Sequence, residues 1–216
     1  MKAGAYIALA LALALTRANS GWSIEIGGEL FVDLDAATFT TGDAAWTNAG
    51  TYENLEAFGA PMSGFVETTP VVWLDGQFDA FAGFASAPDG LTGLGPTTTI
   101  EAWVFNPFIE SEESIVAWGD RGGPDGSNMS FNYGTNTDYG AVGHWGDDYD
   151  VGWNGTPEAN VWHHLAYTFD GNTARVYLDG QLNNEKDMPG LETFEDSPIA
   201  VGAQWQQGGG ALEASR

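Results

Sequence analysis

Residues 160–182, NVWHHLAYTFDGNTARVYLDGQL, decide the fold class because they contain two adjacent strands and two turns. Aromatic and β-branched residues fill 162–169, which predicts a strand. The Asp, Gly and Asn at 170–172 tolerate a positive φ and predict a tight turn. A second strand follows over 174–178, and the Asp-Gly pair at 179–180 predicts the next turn.

The second of these strands alternates with a period of two. Ala174, Val176 and Leu178 fall on one face, whereas Arg175 and Tyr177 fall on the other. This pattern is typical of a sheet that covers a core on one side only. The stretch therefore predicts an antiparallel meander, and the rest of the chain is interpreted as further strands of the same sandwich.

Length and composition favour one domain of the larger all-β kind. The chain has 216 residues, and its 30 glycines, nine prolines and nine tryptophans favour short strands and tight turns. After residue 20 no stretch sustains a period of 3.6 residues, which argues against a helical bundle.

The first twenty residues have the pattern of a secretory signal peptide. Lys2 precedes an apolar run over 5–15, and small residues stand at 18–20. The run is shorter than the roughly 20 residues that span a bilayer. We therefore expect a signal peptide over 1–20, a domain over 21–216, and no membrane insertion of the mature chain.

The chain is strongly acidic and has no cysteine. Its net charge is −24, and removal of residues 1–20 takes away two basic residues and no acid, which leaves 4 − 30 = −26. Such a charge repels phosphate backbones, so nucleic acid is not expected as a partner. A cysteine-free exported chain has no disulfides and fits a bacterial source, secreted or at the cell surface.

Residues 162–171, followed by VYLDG at 176–180, resemble the signature of laminin-G-like (LamGL) jelly-roll domains. These belong to the concanavalin A-like lectin/glucanase superfamily. Residues 98–104 and 74–81 are similar to two further pieces of that family, and the matches together cover about residues 70–205. The resemblance implies an all-β antiparallel jelly-roll sandwich, a fold that hosts both binders and hydrolases.

Other segments are assigned by pattern alone. Residues 22–26 and 30–34 alternate as candidate strands, and 139–145 is interpreted as another. Residues 181–197 are interpreted as a polar loop, and 206–216 as a glycine-rich loop. Because domains of the resembled family close with a strand beyond this point, we expect the C-terminal closing strand to be missing from this chain.

No catalytic motif is present. The strand that glucanases of this superfamily use, Glu-x-Asp-x-x-Glu, does not occur, and neither does a Gly-x-Ser-x-Gly elbow. His163 and His164 are adjacent on a strand and point to opposite faces, so they cannot chelate one ion. The chain is therefore predicted not to be an enzyme, with a hydrolase built from carboxylates of distant loops left open.

Calcium is a candidate cofactor because acidic loops are frequent. The loop that begins at Asp147 fails as an EF-hand, since Tyr149 and Val151 stand at ligand positions. The resemblance implies calcium bound by loop aspartates, and the candidate ligands are Asp75, Asp79 and Asp148. The alternative is that these are turn and surface carboxylates.

A sugar site is predicted around residues 145–154. Tyr and Trp rings stack on the apolar faces of sugars, while Asp and Asn bind hydroxyl groups. The candidate residues are Trp145, Asp148, Tyr149, Trp153 and Asn154. Trp145 and Trp153 stand at strand positions and are expected to fill the core, whereas Tyr149 is expected to be exposed.

These observations predict a secreted, non-catalytic recognition module that binds an extracellular glycan or protein ligand, with assistance from calcium. The alternatives are a glycoside hydrolase-like enzyme and a structural or adhesive domain that contacts protein.

Overall fold

A computed structural model describes residues 7–10, 28–195, 197–207 and 212–214. Most of the predicted signal peptide, its cleavage point and the candidate strand at 22–26 lie outside these residues. Within them, the strands in chain order are Ile7–Ala10 (β1), Ala45–Trp46 (β2), Leu55–Phe58 (β3), Met62–Val66 (β4), Thr69–Leu74 (β5), Ala80–Ser86 (β6), Gly93–Leu94 (β7), Thr97–Phe105 (β8), Ser114–Gly119 (β9), Asn128–Asn132 (β10), Val142–Gly143 (β11), Trp162–Asp170 (β12), Thr173–Leu178 (β13), Gln181–Asp187 (β14), Glu192–Thr193 (β15), Pro198–Val201 (β16), Ala203–Trp205 (β17) and Leu212–Ala214 (β18). A short 3-10 helix at Ala36–Thr38 precedes β2.

Two seven-stranded sheets form the body of the molecule. The first sheet has the order β14-β13-β12-β8-β1-β5-β4, and the second has the order β11-β10-β9-β16-β6-β3-β2. All paired strands in both sheets are antiparallel. The predicted all-β antiparallel sandwich is confirmed.

The core lies between the two sheets and is rich in aromatic rings. Phe81 of β6 meets Phe39 edge-on at 5.0 Å and Trp46 at 5.1 Å between ring centroids. Leu165 and Tyr167 of β12 reach the same core from the first sheet. Each such side chain contributes about 1.5–3 kcal/mol when it is removed from water.

The predicted meander forms β12 and β13. Ala174 and Val176 are fully buried, whereas Arg175 and Tyr177 lie on the outer face and are half-buried, in agreement with the predicted alternation. Asp179 has φ +52° in the second turn, and its Oδ1 accepts a hydrogen bond from the backbone N–H of His164 at 2.9 Å. This bond fixes the turn against β12.

The prediction of a polar loop over 181–197 is wrong. Residues 181–187 form β14, which pairs with β13 along its length, for example Arg175 with Glu185. An edge strand with few apolar side chains has no hydrophobic alternation in its sequence. The formation of β14 is determined instead by backbone pairing with β13 after the tight turn.

Three other segments also differ from their predictions. Residues 30–34 form no strand; the carbonyls of Leu30 and Phe31 accept hydrogen bonds from the N–H groups of Thr51 and Tyr52 at 2.9 Å. In 139–145 only Val142–Gly143 is a strand. The predicted C-terminal loop contains β18, which pairs with β17.

The strand β1 lies between β5 and β8 in the first sheet. Ala8 pairs with both Trp73 of β5 and Phe105 of β8. Since both neighbours are antiparallel to β1, they run parallel to each other. None of the described helical residues forms a segment long and apolar enough to span a bilayer.

Candidate functional site: an outward tryptophan beside a polar strip

A buried histidine fixes the start of the loop that carries the predicted sugar site. The ring of His144 is completely buried, and its Nδ1 lies 2.7 Å from the carbonyl oxygen of Asn128, which can only accept a hydrogen bond. Nδ1 therefore carries the proton, and Nε2 accepts from the Tyr167 hydroxyl at 3.1 Å. Burial lowers the pKa of His144 to about 4, so the ring is neutral at physiological pH.

The next residue, Trp145, points its ring out of the sandwich. Its φ is +64° and that of Gly146 is +123°, which turns the chain away from β11. Bulky L-residues rarely adopt this conformation, and such strain is concentrated at functional sites. Trp145 is 40% exposed, so the expectation that it fills the core is wrong.

Charged groups flank the Trp145 ring. The guanidinium carbon of Arg121 lies 5.8 Å from the ring centroid, within the range of a cation–π contact. The exposed side chain of Asp125 packs against Gly146, the next residue in the chain. A cation therefore lies over the ring, and a carboxylate lies beside the turn that holds it.

A row of polar side chains leads inward from Arg121. Its guanidinium donates to Oε2 of Glu112 at 2.9 Å, and Gln204 donates to Oε1 of the same carboxylate at 2.8 Å. Asn128 in turn donates to the Gln204 oxygen at 3.0 Å. We call Trp145, Arg121, Glu112, Gln204 and Asn128 the Trp145 strip.

The inner end of the strip contains an unsatisfied acceptor. Asn128 is 2% exposed, and its Oδ1 accepts no hydrogen bond from any described residue. An unpaired buried oxygen of this kind costs about 1–3 kcal/mol. Beside it, the side chains of Ser114, Ser130 and Asn132 form a buried polar network. This part of the second sheet is thus polar although it is buried.

The structure places the other predicted site residues in different environments. Asp148 is exposed in the same loop as Trp145. Tyr149 was expected to be exposed, but it is half-buried and packs against the core, so Trp145 is the exposed aromatic residue of this loop. Trp153 is 7% exposed and packs on Phe131, as expected for a core residue. Asn154 is exposed, and its N–H donates to Asn183 of β14.

Sequence reasoning missed the polar members of the strip. Glu112 and Gln204 meet although they are 92 positions apart. No local spacing brings such residues together, since their segments become neighbours through the pairing of β9 with β16 and the backbone hydrogen bond from Arg121 to Trp205. Among the polar members only Arg121 has a sequence signal, because arginine is rare in this chain.

The predicted calcium ligands occupy turn positions. Asp75 Oδ1 accepts hydrogen bonds from the N–H groups of Gln77, Phe78 and Asp79, and Asp79 Oδ1 accepts from Ala60 at 2.7 Å. Burial alone would raise the pKa of Asp75, but the backbone bonds hold it below its usual value. Among the described residues, no group of three or more His, Cys, Asp or Glu side chains is arranged to hold a metal ion.

The two adjacent histidines do point to opposite faces. His163 is buried, and its Nδ1 lies 2.8 Å from Oδ2 of Asp179. His164 lies on the outer face, where its Nε2 is 3.5 Å from Oε2 of Glu101. The prediction that they do not share one ion agrees with this geometry.

Comparison with known proteins identifies the family. Among solved structures, domain 4 of AbnA, a GH43 extracellular arabinanase from Geobacillus stearothermophilus determined in complex with arabinotriose, matches with 18% identity and a TM-score of 0.48, over 76% of this chain and 73% of that one. No curated protein matches the chain. A laminin-G family model, described as concanavalin A-like lectin/glucanases superfamily, matches residues 79–214, which is more than half of the chain. The chain therefore belongs to the concanavalin A-like lectin/glucanases superfamily.

Proposed function

We propose that this protein is an extracellular, non-catalytic module that binds carbohydrate through the Trp145 strip. The observation that carries the proposal is Trp145 itself, a ring held outward by a strained backbone next to Arg121, which pairs with Glu112. Sugar rings have apolar C–H faces and hydroxyl rims. One face of the indole would stack on the sugar, and the charged groups beside it would bind hydroxyls.

The state of Glu112 supports a binding role over a catalytic one. Both of its carboxylate oxygens already accept hydrogen bonds, one from Arg121 and one from Gln204. A general acid must donate a proton to the glycosidic oxygen, whereas both oxygens of this carboxylate act as acceptors for other side chains. Release of reducing sugar from a bound polysaccharide would contradict the non-catalytic proposal.

The test is depletion of the purified protein from solution by insoluble cellulose, xylan, mannan and chitin. We expect one or more of these to deplete the native protein. Trp145→Ala should weaken this binding about tenfold, which corresponds to the loss of about 1.4 kcal/mol from one stacking contact. Phe78→Ala is the matched control, because Phe78 is an exposed ring in the turn between β5 and β6.

The possible outcomes test the proposed function and the proposed site separately. If no glycan depletes the native protein, the proposed function is wrong. If Trp145→Ala and the control bind equally well to a glycan that depletes the native protein, the function stands and the site is wrong.

Calcium assistance is a separate proposal, motivated by the acidic loops and the absence of disulfides. Bound calcium stabilises a folded protein by mass action, so chelation should lower the melting temperature. The measurement compares the protein with and without a chelator at constant ionic strength. An unchanged melting temperature removes calcium from the account.

A further inference from the structure

A row of aromatic side chains crosses the outer face of the first sheet. Trp73 of β5 contacts Phe105 of β8, and Phe105 pairs with Trp162 of β12. Residues directly opposite each other in a ladder share a face. Since Val72 and Val104, their neighbours in sequence, point into the core, these three rings lie on the outside.

The rings of the row are in contact with one another. The centroids of Trp73 and Phe105 are 6.5 Å apart with an edge-on geometry, and those of Phe105 and Trp162 are 5.7 Å apart. Beneath them Val71 is completely buried, although it faces away from the sandwich core. The row is thus a second apolar cluster, packed and half-exposed, on a face that is usually polar.

A polar pair adjoins the row. Trp103 pairs with His164, their ring centroids are 5.2 Å apart, and Trp103 is 41% exposed. Nε2 of His164 lies 3.5 Å from the carboxylate of Glu101, whose side chain is largely exposed. We call Trp73, Phe105, Trp162, Trp103 and His164, together with Glu101, the aromatic face.

We propose that the aromatic face is a second glycan-binding surface, which takes a neutral polysaccharide chain lying across the strands. The rings offer platforms for apolar sugar faces, while Glu101 and His164 supply an acceptor and a second polar group for hydroxyls. The ligand class rests on the proposed function, but the surface is independent of the Trp145 strip, which is built from loops, β10 and β17.

Charge and polarity favour a neutral polysaccharide over an anionic polymer or an apolar protein surface as the ligand. The net charge of −24 disfavours anionic polymers, whether nucleic acid or acidic polysaccharide. An apolar protein surface docked on the rings would bury Glu101 and His164 without partners, which costs free energy. A hydroxyl-rich chain satisfies the rings and the polar pair together.

The experiment uses the same four insoluble glycans and compares Trp103→Ala, Trp145→Ala and the double variant, with Phe78→Ala as control. We expect each single variant to weaken depletion about three- to tenfold, and the double variant to lose it, because two surfaces on one chain act multivalently. His164→Ala is a second variant of the aromatic face that leaves the tryptophan in place. We expect it to weaken binding less than Trp103→Ala does.

The outcomes distinguish the two proposals. If Trp103→Ala and His164→Ala bind as the native protein does while Trp145→Ala loses binding, the second surface is overturned and the proposed function stands. If Trp103→Ala loses glycan binding and Trp145→Ala does not, the aromatic face is supported and the Trp145 strip is not a binding surface. Failure of the native protein to bind any of the glycans overturns the ligand class for both.

Discussion

At the level of single residues, Glu113 is an acid kept protonated by its surroundings. Its side chain is 1% exposed, and burial raises its pKa to about 8, although Asn106 donates a hydrogen bond to it. The folded state therefore holds this proton up to about pH 8, while the unfolded state releases it near pH 4.5. Stability is lost as the pH rises through this window, by an amount on the order of a few kcal/mol.

Glu113→Gln should remove this loss. The glutamine oxygen can still accept from Asn106, and it carries no charge at any pH. We expect the free energy of unfolding of the variant to fall less steeply between pH 5 and pH 8, so that the variant is the more stable protein at pH 9. Denaturant unfolding at several pH values measures this. His144 and Asp150 titrate in both proteins, so identical slopes would contradict the assignment to Glu113.

The strain at Trp145 is also measurable. Trp145→Ala and Trp145→Gly both lose the ring, but only glycine adopts a positive φ without cost. We expect the glycine variant to be more stable than the alanine variant by about 0.5–1 kcal/mol, because glycine avoids the backbone strain at this position. The gain is small because the higher entropy of glycine in the unfolded chain offsets part of it.

Leu182 provides the control pair for this comparison, because it is exposed on β14 and has an ordinary φ. There the alanine variant should be the more stable of the two. An alanine preference at both positions in thermal unfolding would mean that Trp145 is not strained.

At the level of elements, β14 supports the loop that carries Trp145. The Lys186 ammonium group donates to the carbonyl oxygens of Asp147 and Asp150, at 2.5 and 3.0 Å, and Asn184 donates to that of Gly152 at 2.8 Å. These bonds satisfy backbone groups that have no strand partner. The edge strand therefore sets the position of the candidate site.

Lys186→Met should loosen this loop. We expect faster amide hydrogen exchange over residues 147–150 and weaker glycan depletion, with little change in the exchange of β12 and β13. Lys186→Arg retains a donor and should behave more like the native protein. Unchanged exchange in Lys186→Met would show that the loop holds its conformation without the lysine.

Elements with a repeating apolar pattern were predictable, and those determined by pairing were not. The alternation of 174–178 and the turn at 179–180 predicted β13 and its orientation correctly. Strand β14 was not predicted because its polar sequence has no alternation of apolar residues that would face the core. The members of the candidate site differ in the same way: the loop with Trp145 is a local feature of the sequence, whereas Glu112 and Gln204 are brought together by the fold.

At the level of the whole molecule, the charge of −24 acts against compactness. Salt screens this repulsion, since the Debye length falls from about 10 Å at 0.1 M to about 3 Å at 1 M. We expect the melting temperature to rise with sodium chloride concentration and then to level off. Choline chloride should have the same effect if screening alone is responsible. A melting temperature that is flat or falls with salt would contradict this.

The described tryptophans differ in exposure, and this has an optical consequence. Trp46, Trp118 and Trp153 are enclosed in the core, whereas Trp145 and Trp103 are the most exposed and lie on the two different candidate surfaces. The enclosed indoles emit at shorter wavelength and are shielded from iodide, while the outer two emit towards the red and are quenched. A sugar seated on either outer ring would shift its emission to the blue and protect it from iodide. The molecule thus carries its own fluorescent reporter of occupancy, and Trp103→Phe or Trp145→Phe would show which surface gives the signal.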